Sequence, residues 1–241
     1  MPYGNISKEE VVWRPTPEYV ERSHLKTFMD RHDLGSLEEL QTRASDDVAW
    51  FTESVIDYLD IQFQHPFSQI VNVDDGIQFP AWCVGGKLYI VATCVVKWRS
   101  DPDTAARPAL VSELEEGSVQ SLTYLELSME VNRCANALRS LGFAKGDVVG
   151  LFLPMTVHVV IALLALARIG AIAQPLYSGF GSGAIASRLN DAGAIGLITA
   201  DAQYRRGTVV PMKATADQAL QSAPSVRSVV VCRRVSAEAP M

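Results

Sequence analysis

The sequence predicts an α/β fold: a parallel βαβαβαβ sheet layered with helices, preceded by a helical and irregular N-terminal arm. Three observations carry that expectation. From Thr123 onward, helical and strand patterns alternate in strict order. The strand segments are continuous apolar runs, as expected where a sheet is covered on both faces. Each of the first three helical patterns ends at a glycine, Gly142, Gly170 or Gly193, a residue that readily takes the left-handed conformation of a helix stop.

The composition agrees. The chain has 241 residues, 48% hydrophobic and 20% charged, which is ample for a sizeable core and excludes a mostly disordered chain. With 21 basic against 27 acidic residues, the formal net charge is −6, which argues against a nucleic-acid binder working by bulk charge. Sixteen Gly and twelve Pro exclude collagen-like or low-complexity character.

Taken in order, the arm occupies residues 1–98. A helix opens at Thr16 or Pro17 and runs through Tyr19, Val20, His24, Leu25 and Phe28. Ser36-Leu37-Glu38-Glu39 fits a capping box. Asp46 or Asp47 caps a further helix through Trp50, Phe51, Val55, Ile56 and Leu59. Residues 62–82, interrupted by Pro66, Gly76 and Pro80, read as ordered but irregular, and Gly85-Gly86 turns into a helix or strand over 88–96. Residues 99–121 form a linker in which 109–112 and 119–122 pair as short strands around Glu115-Glu116-Gly117. The α/β subdomain follows over 122–241: helices at 123–141, 156–169, 182–192 and 211–222, the last with Pro211 in its first turn, and strands at 147–153, 171–176, 195–199 and 226–232. A short polar tail closes the chain.

Residues 148–177 are strongly apolar, but Pro154 cuts them and the longest clean run, 159–167, is far below the ~20 residues of a membrane span. They read as a buried strand and helix, with no membrane contact. The chain opens Met1-Pro2-Tyr3-Gly4-Asn5 and lacks the basic-then-apolar pattern of a secretory signal. Cys83, Cys94, Cys134 and Cys232 have no zinc or redox spacing, and His24, His32, His65 and His158 make no ligand set. No metal site is expected, and the cysteines read as reduced, mostly buried thiols of a cytoplasmic protein.

In parallel sheets, ligands gather beyond the carboxyl ends of the strands, here residues 153–156, 176–183 and 199–207. Tyr177-Ser178-Gly179-Phe180-Gly181-Ser182-Gly183 places three glycines between a strand and a helix. Its amides can receive an anion, and by spacing alone it reads first as a flexible turn. Tyr204-Arg205-Arg206-Gly207-Thr208 can grip a phosphate bidentately, or be solvated surface charge. Asp201 reads as a polar site residue or, by default, as a cap for the turn after it. The adjacent pairs Glu38-Glu39, Asp46-Asp47, Asp74-Asp75 and Glu115-Glu116 read as solvated faces or turns, and no nucleophile elbow surrounds Ser182. No catalytic residue is assigned.

The runs Leu122-Thr123-Tyr124, Asn136-Ala137-Leu138-Arg139-Ser140-Leu141-Gly142, Lys145-Gly146-Asp147, Ala167-Arg168-Ile169-Gly170-Ala171 and Ser187-Arg188-Leu189-Asn190-Asp191-Ala192-Gly193 occur in that order. Together they resemble the opening of the large domain of AMP-forming acyl-CoA synthetases. Trp82, Val84-Gly85-Gly86-Lys87-Leu88, Asp101-Pro102-Asp103 and Tyr204-Arg205-Arg206-Gly207 resemble the acetyl-CoA synthetase branch of that adenylate-forming superfamily. The resemblance covers about residues 45–232.

The resemblance implies an acid–thiol ligase. ATP adenylates a small carboxylic acid with help from Mg2+, and coenzyme A then displaces AMP. It further implies that Arg205, Arg206, Gly207 and Thr208, with Tyr177, Ser178 and Gly179 beside them, bind the phosphates of the coenzyme A nucleotide. The family carries a second basic residue where this chain has Thr208, so a weaker grip is expected. The family's phosphate loop ending in lysine, its ribose-binding aspartate and the small domain with the catalytic lysine have no counterpart in these 241 residues. Two readings follow. One is the N-terminal part of a short-chain acyl-CoA synthetase, inactive alone, self-associating, and completed by a missing C-terminal portion or a complementary chain. In it, ATP and Mg2+ act only in the context of the full enzyme. The other is a non-catalytic nucleotide-binding or protein-interaction module derived from the same fold.

Overall fold

A computed structural model describes residues 13–235, so the opening Met1–Asn5 and the tail beyond Val235 lie outside the described residues. The chain divides by its contacts into two compact units, one ending at Lys87 and one starting at Leu88.

The first unit holds α1 (Pro17–Glu21), α2 (His24–Arg31), α3 (Leu37–Asp46), α4 (Val48–Tyr58), β1 (Phe63–His65), β2 (Gln69–Asn72) and β3 (Ala81–Val84). Sequence periodicity predicted one helix where α1 and α2 stand. Ser23 breaks it, because its backbone is extended and its side chain accepts the Lys26 N–H, opening a new helix. Ser36 accepts from Glu39 N as predicted, but the Glu39 carboxylate returns to the Gly35 N–H at 2.7 Å rather than to the capping serine. Asp47, not Asp46, caps α4. The segment expected to be irregular carries the antiparallel β2–β3 pair, with Val71 opposite Trp82. Phe28, Met29 and Leu40 make a small core against Trp50, Phe51 and Tyr58.

Past β4 (Lys87–Leu88), the second unit continues through a π-helical turn (Ala92–Val96), α5 (Lys97–Ser100) and α6 (Pro102–Ala105) to an antiparallel hairpin of β5 (Pro108–Glu113) and β6 (Val119–Thr123). Then come α7 (Tyr124–Ser140), β7 (Val148–Phe152), α8 (Val157–Ile169), β8 (Ile172–Pro175), α9 (Ser182–Asp191) and β9 (Gly196–Ala200). A hairpin of β10 (Gln203–Arg205) and β11 (Thr208–Val210) precedes α10 (Met212–Leu220) and β12 (Ser228–Cys232). Sequence reading left that hairpin as loop.

β7, β8, β9 and β12 form one parallel sheet in the order β12-β9-β7-β8, the predicted α/β architecture. The chain reverses direction across the sheet between β8 and β9. Right-handed crossovers therefore put α8 and α9 on opposite faces. The contacts agree, α7 packing on α8 and α9 on α10. The three predicted glycine stops have left-handed backbones, with φ of 87° at Gly142, 76° at Gly170 and 59° at Gly193. Val149, Leu151, Phe152, Leu166, Ile185, Leu189 and Leu197 are fully buried between the layers. The point of reversal opens a crevice at the carboxyl ends of β7 and β9, where the loops after β8 and β9 meet.

Candidate functional site

The β8–α9 loop and the β10–β11 hairpin meet at that crevice. Arg205, last residue of β10, donates from Nη2 to the Tyr177 hydroxyl at 3.2 Å. Gln203 Nε2 donates to the Ser178 carbonyl at 3.1 Å and fixes the start of the loop. Between them lies Gly179. A Cβ there would sit 2.6 Å from the Tyr177 ring and 2.7 Å from Arg205 Nη1, so a larger residue would push the ring and the guanidinium off the loop they close over. Tyr177 also meets Phe180 edge-on at 5.5 Å, and Arg188 stands 4.3 Å over Phe180.

The hairpin tip is Arg206-Gly207, with φ of 53° and 74°. Two left-handed residues are what a two-residue hairpin loop of type I′ requires. Arg206 is exposed at the tip, and the Thr208 hydroxyl is committed to the Arg205 carbonyl at 2.8 Å. A shallow cavity of about 250 Å3 opens between loop and hairpin. Tyr177, Ser178 and Arg205 line it, with Glu115 and Arg234; Gly179, Arg206, Gly207 and Thr208 do not. The volume falls below the roughly 300–1,000 Å3 of sites that enclose a whole ligand, and suits a surface grip on one end of a molecule.

Three carboxylates in this region do more than the sequence reading assigned to them. Asp201, only 3% exposed, is more than a local cap. Its Oδ1 accepts from Ala202 N at 2.7 Å and Arg234 N at 2.9 Å, and its Oδ2 from Val235 N at 3.0 Å, joining the exits of β9 and β12. Glu115 and Glu116, read as solvated turn residues, are not idle. Glu115 Oε1 accepts the Gly207 N–H at 2.7 Å, and Glu116 pairs with Arg234 at 3.2 Å. These contacts span 92 and 118 residues of chain, so no local pattern announces them.

A larger, apolar cavity of about 480 Å3 lies between α7, α8, β9 and β12, lined in part by Cys134, His158 and Cys232. Its charged residues, Arg133 and Glu130, are paired with each other at 2.7 Å. Burial, then the neighbouring Cys134 and Asp201, pushes the Cys232 thiol up to about 11, and burial raises Cys134 as well, so both stay protonated and unreactive at neutral pH. All four cysteines are free. Cys94 is exposed and the others half-buried, less enclosed than the sequence suggested, because Cys94 sits on the outer side of the π-helical turn. Among the described residues, no group of three or more His, Cys, Asp or Glu could hold a metal ion, and no helix is long and apolar enough to cross a membrane.

The family model for "AMP-binding enzyme" matches residues 98–240. Acetyl-coenzyme A synthetase of Pasteurella multocida is 35% identical over 241 residues, all of this chain and 35% of the relative. The 3-hydroxypropionyl-coenzyme A synthetase of Sulfurisphaera tokodaii is 41% identical over 183 residues, 75% of this chain and 28% of the relative. The solved acetoacetyl-CoA synthetase from Streptomyces lividans superposes with a TM-score of 0.80 at 24% identity, over 95% of this chain and 36% of that one, a likeness of fold. The chain thus spans about a third of the length of the curated relatives it matches.

Proposed function

Because the chain belongs to the AMP-binding enzyme family, we propose that it supplies part of the coenzyme A nucleotide site of an ATP-dependent, AMP-forming short-chain acyl-CoA synthetase. Arg205 and Arg206 grip the nucleotide's phosphates, with Tyr177, Ser178 and Gly179 alongside, while Gly207 shapes the hairpin tip with its N–H held by Glu115. Thr208 holds the hairpin rather than the ligand, its hydroxyl being bonded to Arg205 O. The observation that carries this reading is the Arg205–Tyr177 contact of 3.2 Å, closed over Gly179 at the carboxyl end of the sheet. It holds a guanidinium in place with a neutral partner, leaving its charge for a phosphate.

Calorimetry of the chain with coenzyme A tests this. Binding is expected, and Arg205→Ala should weaken it by at least tenfold, the loss of about one charge-assisted contact. Undiminished binding by the variant would refute the assignment.

Adenylation is mostly positioning and charge stabilisation around ATP, and the sequence carries no phosphate loop ending in lysine. ATP, Mg2+ and the acid accordingly act with further polypeptide, and the 241 residues alone do not adenylate. The same reading has the open edge of β12 and the apolar cavity beside it drive self-association of the isolated chain.

A further inference from the structure

The β5–β6 turn reaches the arginine hairpin from far along the chain, and one side chain ties the parts together. Arg234, just after β12, donates from Nη2 to both Glu116 oxygens, at 3.4 and 3.2 Å. Its guanidinium carbon lies 5.6 Å from the centre of the Tyr204 ring, within cation–π range, and Tyr204 neighbours Arg205 on β10. Its backbone N–H is held by Asp201. One residue therefore touches the turn, the hairpin and the sheet end.

This pair is not an ordinary surface ion pair. The Arg234 side chain is 11% exposed and that of Glu116 34%, so solvent screens it less than the fully exposed pairs that contribute little. Arg234 Nε is buried with no acceptor, an arrangement that costs stability. Stability alone does not account for an arginine here; the three-way contact does. The hairpin needs such support, since two paired three-residue strands are marginal by themselves. Next to this contact, Glu115 occupies the Gly207 N–H at the tip and orders the turn of the hairpin.

We propose that Arg234 is a positioning residue for the phosphate grip. Through Glu116 and Tyr204 it pre-orders the hairpin, so that Arg205 meets the ligand without first losing conformational freedom. The proposal rests on the coenzyme A reading above.

The test is calorimetry of the 241-residue chain with coenzyme A and with adenosine 3′,5′-bisphosphate, beside trypsin cleavage after Arg206 followed by mass spectrometry. Arg234→Ala and Glu116→Gln should each weaken both ligands about tenfold and speed cleavage at the hairpin tip. Arg234→Glu alone should do the same, and its combination with Glu116→Arg should restore most of the affinity and the slow cleavage. General destabilisation would not be rescued by reversing the pair. Unchanged affinity and cleavage in the single variants would overturn the proposal, as would affinity lost but not restored by the reversed pair. If the wild type binds neither nucleotide, the coenzyme A reading and the ligand-positioning role both fail. Faster cleavage in Glu116→Gln that the reversed pair slows would then still establish the clasp itself.

Discussion

Arg205 and Arg234 are the same residue type a short distance apart, and their surroundings give them different work. Arg205 is exposed and meets a neutral hydroxyl; Arg234 is largely buried and matched by Glu116. The charge of Arg234 also reaches His158. Burial first, and that charge second, push the imidazole below its ordinary value, with Glu130 pulling the other way. A histidine whose pKa is lower folded than unfolded leaves stability intact above the unfolded value, about 6.5. Stability then falls as the pH drops through that value toward the folded one, because the unfolded chain takes the proton more readily. The unfolding midpoint of the wild type should therefore drop between pH 7 and pH 5, and His158→Gln should remove part of the drop. Scanning calorimetry at both pH values decides; identical drops in the two proteins would contradict the shift.

At the scale of elements, α7 shows how a local signal fixes a boundary. Thr123 accepts the Glu126 N–H at 3.2 Å while the Glu126 carboxylate takes the Thr123 N–H at 2.8 Å, a complete capping box. Thr123→Ala should cost about 1 kcal/mol, read as a lower urea midpoint with unchanged slope; an unaltered midpoint would mean the helix start is held by packing on α8 instead. Such boundaries were legible in the sequence because they depend on residues three or four apart. The β5–β6 hairpin was legible from its turn, and the sheet from its continuous apolar runs. The β10–β11 hairpin was not, because its strands have three residues each and its turn places an arginine, not a glycine, first in the left-handed region. Ser23 was missed for a related reason, since apolar spacing ran through it without a break. For the candidate site, Arg205 and Tyr177 were legible as residues. Their contact, and the roles of Asp201, Glu115 and Arg234, arise from chain segments that only the fold brings together.

Among the described residues, β8 and β12 are the two edge strands of the four-stranded sheet, in a chain about a third as long as its curated relatives. Two expectations belong to this scale. The isolated chain should show no acid-dependent exchange between ATP and pyrophosphate, and clear exchange by the pure protein would overturn the proposal that ATP chemistry needs further polypeptide. Its sedimentation coefficient should rise with concentration, whereas a single monomeric species across the range would remove the argument from the exposed β12 edge. The Asp201 carboxylate adds something to this picture. An edge strand ordinarily comes undone from either end, but here the chain leaving β12 is tethered by two amides to the exit of β9. The chain entering β12 is fastened as well, Arg227 N donating to Ile195 O at 2.9 Å and Ser225 Oγ to Ala194 O at 2.8 Å, so this edge strand is pinned at both ends and fraying is resisted where the loops converge.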